Sequence, residues 1–186
     1  GGDAPYIRRT ALVDKGGVKV GILSVSEDWL GKCSQLAEGE LKYEDFIASA
    51  AKAADALRAD GADVVFALTH NRLANDRKLT EAVPGIDLLL GGHDHFYKRD
   101  RGSRIVKGGQ EFRALVHVEV TVSPGGVRED GDLQLFVDRY DIDSEIEEDP
   151  QMKAIVERYN AIRDRKYKKT LCTIGVAYPA DESHLV

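Results

Sequence analysis

Ile86-Asp87-Leu88-Leu89-Leu90-Gly91-Gly92-His93-Asp94-His95 is the stretch on which the fold turns. A short apolar run, preceded by Pro84-Gly85 and followed by a glycine pair, has the length of a buried strand, and it ends in a His-x-His loop. A second segment repeats the arrangement: Val64-Val65-Phe66-Ala67-Leu68-Thr69-His70 is an unbroken apolar run that stops at a histidine. Two buried strands are therefore predicted to end at one place, each delivering imidazole to it. Gly91 and Gly92 are expected to let the backbone turn tightly enough to present both rings of the loop.

Working outward, the segments between these runs read as helices. From Tyr43 to Ala59 the residues Phe46, Ile47, Ala50, Ala53, Ala54 and Leu57 recur at helical spacing, and Asp60-Gly61 closes the pattern. Asn75 to Val83 reads as a short helix stopped at Pro84-Gly85. Upstream, Tyr6 to Val13 and Val18 to Val25 read as strands joined by Asp14-Lys15-Gly16-Gly17, a hairpin signal because glycine accepts positive φ. Downstream, Phe112 to Val122 and Asp132 to Tyr140 suggest two more strands around Ser123-Pro124-Gly125-Gly126, with alternation in Val116, Val118, Val120 and Val122. The predicted fold class is α/β with added antiparallel strands. Past Asp141 the character changes. Asp149-Pro150 is a cap followed by proline at the first helical position, and Met152, Ile155, Val156, Tyr159 and Ile162 form an apolar stripe. The tail from Thr170 to Val186 is too short to build its own core.

Composition excludes some functions. The 186 residues can bury one real core, and the net charge of −6 is spread without long single-sign runs, so there is no electrostatic case for nucleic-acid binding. No stretch approaches the roughly 20 apolar residues of a membrane helix, and the N-terminus lacks the basic-then-apolar pattern of a secretion signal. Cys33 and Cys172 lie far apart with no CxxC spacing, which excludes a metal knuckle or a disulfide framework and leaves the compartment open.

The candidate chemistry sits at the strand ends. In parallel α/β sheets ligands gather at the carboxyl ends of strands, where His70, His93 and His95 are predicted to stand. Neutral imidazole is a good donor for Zn, Mn or Fe, and in a His-x-His loop successive side chains diverge, so the two rings can serve neighbouring metals. Arg72, Asn75 and Asp76 follow His70 closely and are candidates to contact a substrate or orient the ligand loop, and Asn75 also suits a helix N-cap. Asp94 is a candidate to orient a ligand by accepting a ring N–H, with a solvated carboxylate as the alternative. His117, inside an alternating strand, and His184, near the terminus, read as structural. Trp29, Leu30, Phe96 and Tyr97 are expected to cover the site rim, and Lys98, Arg99, Arg101 and Arg104 to form a solvated basic loop.

These segments, in this order, resemble the 5'-nucleotidase branch of the calcineurin-like metallophosphoesterases. The likeness runs through Val18 to Leu23, Gly61 to His70, Pro84 to His95 and Ile105 to Gly109, and covers most of residues 6–122. The resemblance implies a partial metallophosphoesterase-type β-sandwich of mixed sheets flanked by helices, with a C-terminal linker helix from Pro150. It implies that residues 1–148 are the second half of a catalytic domain, and that residues 149–186 are the linker and the start of a truncated C-terminal domain. By the same resemblance His70 and His93 match ligands of one divalent metal and His95 a ligand of the other, in a two-metal centre of the Zn, Mn, Fe or Mg class. Such a pair polarises a phosphoryl group for in-line attack on a nucleotide or related phosphate ester.

The family's earlier motifs, D-x-H, G-D-x-x-D and G-N-H-[DE], do not occur in this sequence. Three imidazoles without a bridging carboxylate cannot hold two dications close together against their repulsion. The chain is therefore expected to be a fragment without catalytic residues of its own, inactive alone on phosphate esters. It is expected to bind at most one Zn or Ni weakly, and to self-associate in the absence of the N-terminal half-domain. The alternative is a non-catalytic binding or interaction module that keeps a remnant histidine metal site.

Overall fold

Gly16 and Gly17 adopt φ of 64° and 87°, the pairing that a two-residue hairpin loop needs to match the twist of its strands. The Asp14 carboxylate accepts the Gly17 N–H at 3.0 Å. Strand β1 (Thr10–Lys15) thereby returns as β2 (Val18–Ser26), with Lys15 opposite Val18. The structure is a computed structural model, and it describes residues 8–30, 32, 42–100, 104–122 and 134–170. Cys33, Arg101, Cys172, His184, the turn Ser123 to Gly126 and the ends of the expected strands at Tyr6 and Asp132 lie outside the described residues, as does most of the tail.

Helix α1 (Phe46–Ala59) follows β2. It starts three residues later than its apolar spacing predicts, because Asp45 caps it, accepting from Ala48 N at 2.9 Å, while Tyr43 stays outside and takes the Phe46 N–H on its hydroxyl. Then come β3 (Val64–His70), α2 (Leu73–Ala82) and β4 (Leu88–Gly91). The remaining strands are β5 (Tyr97–Asp100), β6 (Ile105–Gly108), β7 (Ala114–Thr121) and β8 (Gln134–Asp141).

Six strands form one mixed sheet in the order β1-β2-β3-β4-β6-β5, in which β2, β3, β4 and β6 run parallel and the two outer strands antiparallel. Strands β7 and β8 pair separately and antiparallel. The expected fold class is therefore the observed one. Two local expectations fail. Lys98 and Arg99 lie in edge strand β5 rather than in a loop, since they pair with Lys107 and Val106. Strand β7 begins at Ala114, not Phe112, because Glu111 and Phe112 hold φ of 55° and 54°, which breaks the extended run.

Both helices cover the same face of the large sheet, where Leu23, Ala50, Ala54, Leu57, Val65, Ala67, Leu79 and Leu89 make one cluster. The chain alternates sides along β3. Val65, Ala67 and Thr69 are buried toward the helices, whereas Leu68 is 43% exposed and His70 exposed on the other face. Exposed apolar side chains also mark the small sheet, at Leu115, Phe136 and Tyr140.

The residues divide into two compact units, Gly1–Asp143 and Ser144–Val186. In the second, α3 (Pro150–Tyr167) starts at the predicted place: Asp149 accepts the Met152 N–H at 2.7 Å and proline occupies the first turn. Its stripe of Met152, Ile155, Val156, Tyr159 and Ile162 is exposed.

Candidate metal centre

Parallel pairing aligns the carboxyl ends of three strands. Ser26 of β2 lies opposite His70 of β3, and Thr69 lies opposite Gly91 of β4. Everything that follows these residues is delivered to one edge of the sheet. His70 and His93 meet there with ring centroids 5.2 Å apart and planes at 72°. Trp29, from the segment after β2, tilts against His93 at 4.5 Å and stands edge-on to His70 at 6.0 Å. Its indole N–H donates to the His70 carbonyl at 3.2 Å, and the Ser26 hydroxyl donates to the same oxygen at 3.2 Å.

The turn that presents the loop differs from the expected one. Positive φ falls on His93 itself, at 68°, and not on Gly91 or Gly92. A left-handed, non-glycine residue at a candidate site stores strain of the order of 1 kcal/mol, held in place by its neighbours. Here the Gly92 N–H to the Thr69 carbonyl, at 2.8 Å, pins the loop to β3. Gly91 serves a different purpose: a Cβ there would stand 2.8 Å from Asp76 Oδ2 and 3.0 Å from Lys107 Nζ. Its missing side chain makes room for a buried ion pair.

His95 is exposed, and among the described residues it makes no ring contact with His70 or His93. Two of the three expected imidazoles are thus brought together. Among the described residues no three His, Cys, Asp or Glu side chains converge as a metal-binding group. Two adjacent imidazoles suit part of the shell of one divalent ion, whereas a two-metal cage needs carboxylates that are not at hand here.

The nearby carboxylates are committed elsewhere. Asp94 Oδ2 accepts the Leu73 N–H at 2.7 Å and lies 3.0 Å from Lys107 Nζ. It caps helix α2 from a distant loop. This explains two departures from expectation: α2 starts at Leu73 rather than Asn75, and Asp94 engages a helix end and an ammonium instead of a ring N–H. Burial alone would raise the Asp94 carboxyl, but Lys107 outweighs it and holds the group below the ordinary carboxylate range. Asp76 is fully buried, with Oδ1 taking the Thr69 hydroxyl at 2.8 Å and Oδ2 lying 2.7 Å from Lys107. For Asp76 burial prevails and pushes the carboxyl up.

Glu27 organises the other side. It is buried, pairs with the Arg72 guanidinium, and accepts the Arg72 N–H at 3.0 Å and the Asn75 amide at 2.5 Å. Burial opposes its charge, yet Asn75 and Arg72 together hold it below the usual value. Asn75 therefore sits inside α2 with its amide on Glu27, not at the cap. The Arg72 guanidinium lies 4.9 Å from the Trp29 ring, so Trp29 neighbours both Arg72 and His93. Glu27, Asn71 and Lys107 escaped the sequence reading. A lysine directly after Ile105-Val106 and an acid two residues past Val25, the last apolar residue of β2, carry no local sign of burial.

Known proteins add to this geometry. The chain is 27% identical over 190 residues to the trifunctional nucleotide phosphoesterase YfkN of Bacillus subtilis, across 97% of this chain and 12% of that one. It is 29% identical over 93 residues to an apyrase of Aedes albopictus, covering 49% and 16%. Among solved structures it superposes on the Thermus thermophilus sulfate thiohydrolase SoxB with TM-score 0.70 and 24% identity, over 91% of this chain and 31% of that one. The 5'-nucleotidase precursor of Thermus thermophilus gives 0.66 at 18% identity, covering 86% and 35%. The NAD nucleotidase of Haemophilus influenzae gives 0.68 at 14%, covering 84% and 42%.

The fold is the one shared by the 5'-nucleotidase precursor and the NAD nucleotidase. The resemblance to the 5'-nucleotidase branch expected from the sequence therefore holds at the level of the fold. No family model matches the chain. The chain spans less than half the length of these relatives.

Proposed function

We propose that this chain forms part of a divalent-metal phosphoesterase acting on nucleotides or related phosphate esters, with residues 1–148 the second half of its catalytic domain and residues 149–186 a linker to a further domain. The observation that carries the reading is the pairing of His70 and His93, 5.2 Å apart at the carboxyl edge of the parallel strands. His95 faces solvent from the same loop, in position to meet a second ion whose other ligands come from outside these residues. A bound metal pair would supply Lewis-acid polarisation of the phosphoryl group.

The chain's own residues position and screen. Arg72 is the substrate-facing candidate: its side chain is 49% exposed, fixed in direction by Glu27 and the Trp29 ring, and its remaining N–H groups can donate to phosphate oxygens. Asn75 and Asp94 act behind it, through Glu27 and through the start of α2. Because Asp76, Asp94 and Glu27 are tied to cations or amides, the isolated chain supplies imidazole alone and is expected to turn over no phosphate ester. That commitment of the carboxylates also favours a second reading, a binding module that keeps only the histidine pair.

Titration of the purified chain with Zn or Ni tests the common core of both readings. Weak binding of one ion that His93→Ala abolishes is the expected result. Unchanged affinity in that variant would remove the histidine pair from consideration.

A further inference from the structure

We propose that Lys107 is a positioning residue whose buried ammonium clamps the two loops that present His70 and His93. Strand β6 sets Lys107 beside Gly91, and the side chain runs under both loops with none of its surface exposed. Its Nζ donates to the Asn71 carbonyl at 2.9 Å and to the Gly92 carbonyl at 2.8 Å. Asn71 directly follows His70 and Gly92 directly precedes His93. One nitrogen thus fixes the backbone next to each imidazole, and a shift of that nitrogen moves both rings.

An ammonium has three protons to give. Two go to the carbonyls, and the Oδ2 atoms of Asp76 at 2.7 Å and Asp94 at 3.0 Å lie close enough to hold the ammonium by charge, so its position is fixed. Asp94 passes the constraint on to the Leu73 N–H at the start of α2. The same contacts tie one carboxylate oxygen of each aspartate to the ammonium. Lys107 therefore sets the composition of the site as well as its spacing: two rings together, with the adjacent carboxylates withheld.

The metal consequence rests on the reading given above, but the geometric one does not. Trp29 is the single tryptophan and touches both rings, so its fluorescence reports their placement without metal. The experiment compares the 186-residue chain with Lys107→Met and with Lys107→Met/Asp76→Asn, which removes both members of the buried pair. Urea unfolding establishes which variants are folded, Trp29 emission and acrylamide quenching are read metal-free, and Zn is then titrated. In a folded variant, Trp29 emission is expected to shift to the red with easier quenching, and Zn affinity to fall by about 10- to 100-fold, as loss of an outer-shell partner does. A folded variant with unchanged Trp29 emission and unchanged Zn affinity overturns the proposal. So does failure of the double variant to fold, since Lys107 would then serve the core at large and not ligand placement. If the unaltered chain binds no Zn while the Trp29 shift occurs, the metal reading falls and the clamp stands.

Discussion

Gly91→Ala isolates the one position where the loop's geometry depends on the absence of a side chain. The added methyl would lie 2.8 Å from Asp76 Oδ2 and 3.0 Å from Lys107 Nζ. Neither group has room to retreat: both residues are fully buried, Asp76 is held by the Thr69 hydroxyl, and Lys107 is held by two backbone carbonyls. Overpacking a tight interior costs about 1–3 kcal/mol, and breaking a buried ion pair outright costs about 3–5 kcal/mol. A pair pushed apart but not lost places the expected destabilisation at about 2–4 kcal/mol, a large share of the roughly 5–15 kcal/mol that holds a domain together. Gly92→Ala is the control. Its Cβ would meet the His70 ring and the Thr69 carbonyl at 3.4 Å, ordinary contact distances, and its φ lies outside the left-handed region, so a loss under about 1 kcal/mol is expected. Urea unfolding followed by circular dichroism, compared at constant slope, gives both values. If the two variants fall within about 0.5 kcal/mol of each other, Gly91 is not there to make room for the ion pair.

Glu27 supplies a pH dependence whose sign follows from its partners. Its folded carboxyl lies below the ordinary 4.5, so the ionised group contributes stability in full above that value and loses it as pH falls through the folded value. The urea midpoint of the chain should therefore drop more steeply between about pH 5 and pH 3 than that of Glu27→Gln, and parallel curves would remove Glu27 from the account. The exposed Leu115, Phe136 and Tyr140 of the small sheet, with edge strands at both sides of the large one, predict self-association of the chain. Sedimentation should show concentration-dependent species, and a single compact monomer across the range would contradict this.

Much of the frame was legible because its causes are local. The glycine pair at 16 and 17 forces a hairpin turn, the apolar runs before His70 and His93 have strand length, and Asp149-Pro150 starts α3 where capping chemistry says it must. Edges defined by distant partners were not legible. Helix α2 begins two residues early because its cap is Asp94, 21 residues on, and no reading of Arg72 to Asn75 contains that information. Strand β5 was hidden for a similar reason: Lys98 and Arg99 look like a solvated loop until β6 pairs with them.

By itself, then, the sequence determined that imidazoles would stand at the ends of buried parallel strands, since apolar runs and the residues that stop them are properties of adjacent positions. Only the tertiary structure decided which imidazoles meet, that His93 carries the strained turn, and that Lys107, Asp76, Asp94 and Glu27 are spent on holding the loops. Burial of a charge and the choice of its partner depend on groups brought from tens of residues away. A chain read one position after another does not record that proximity.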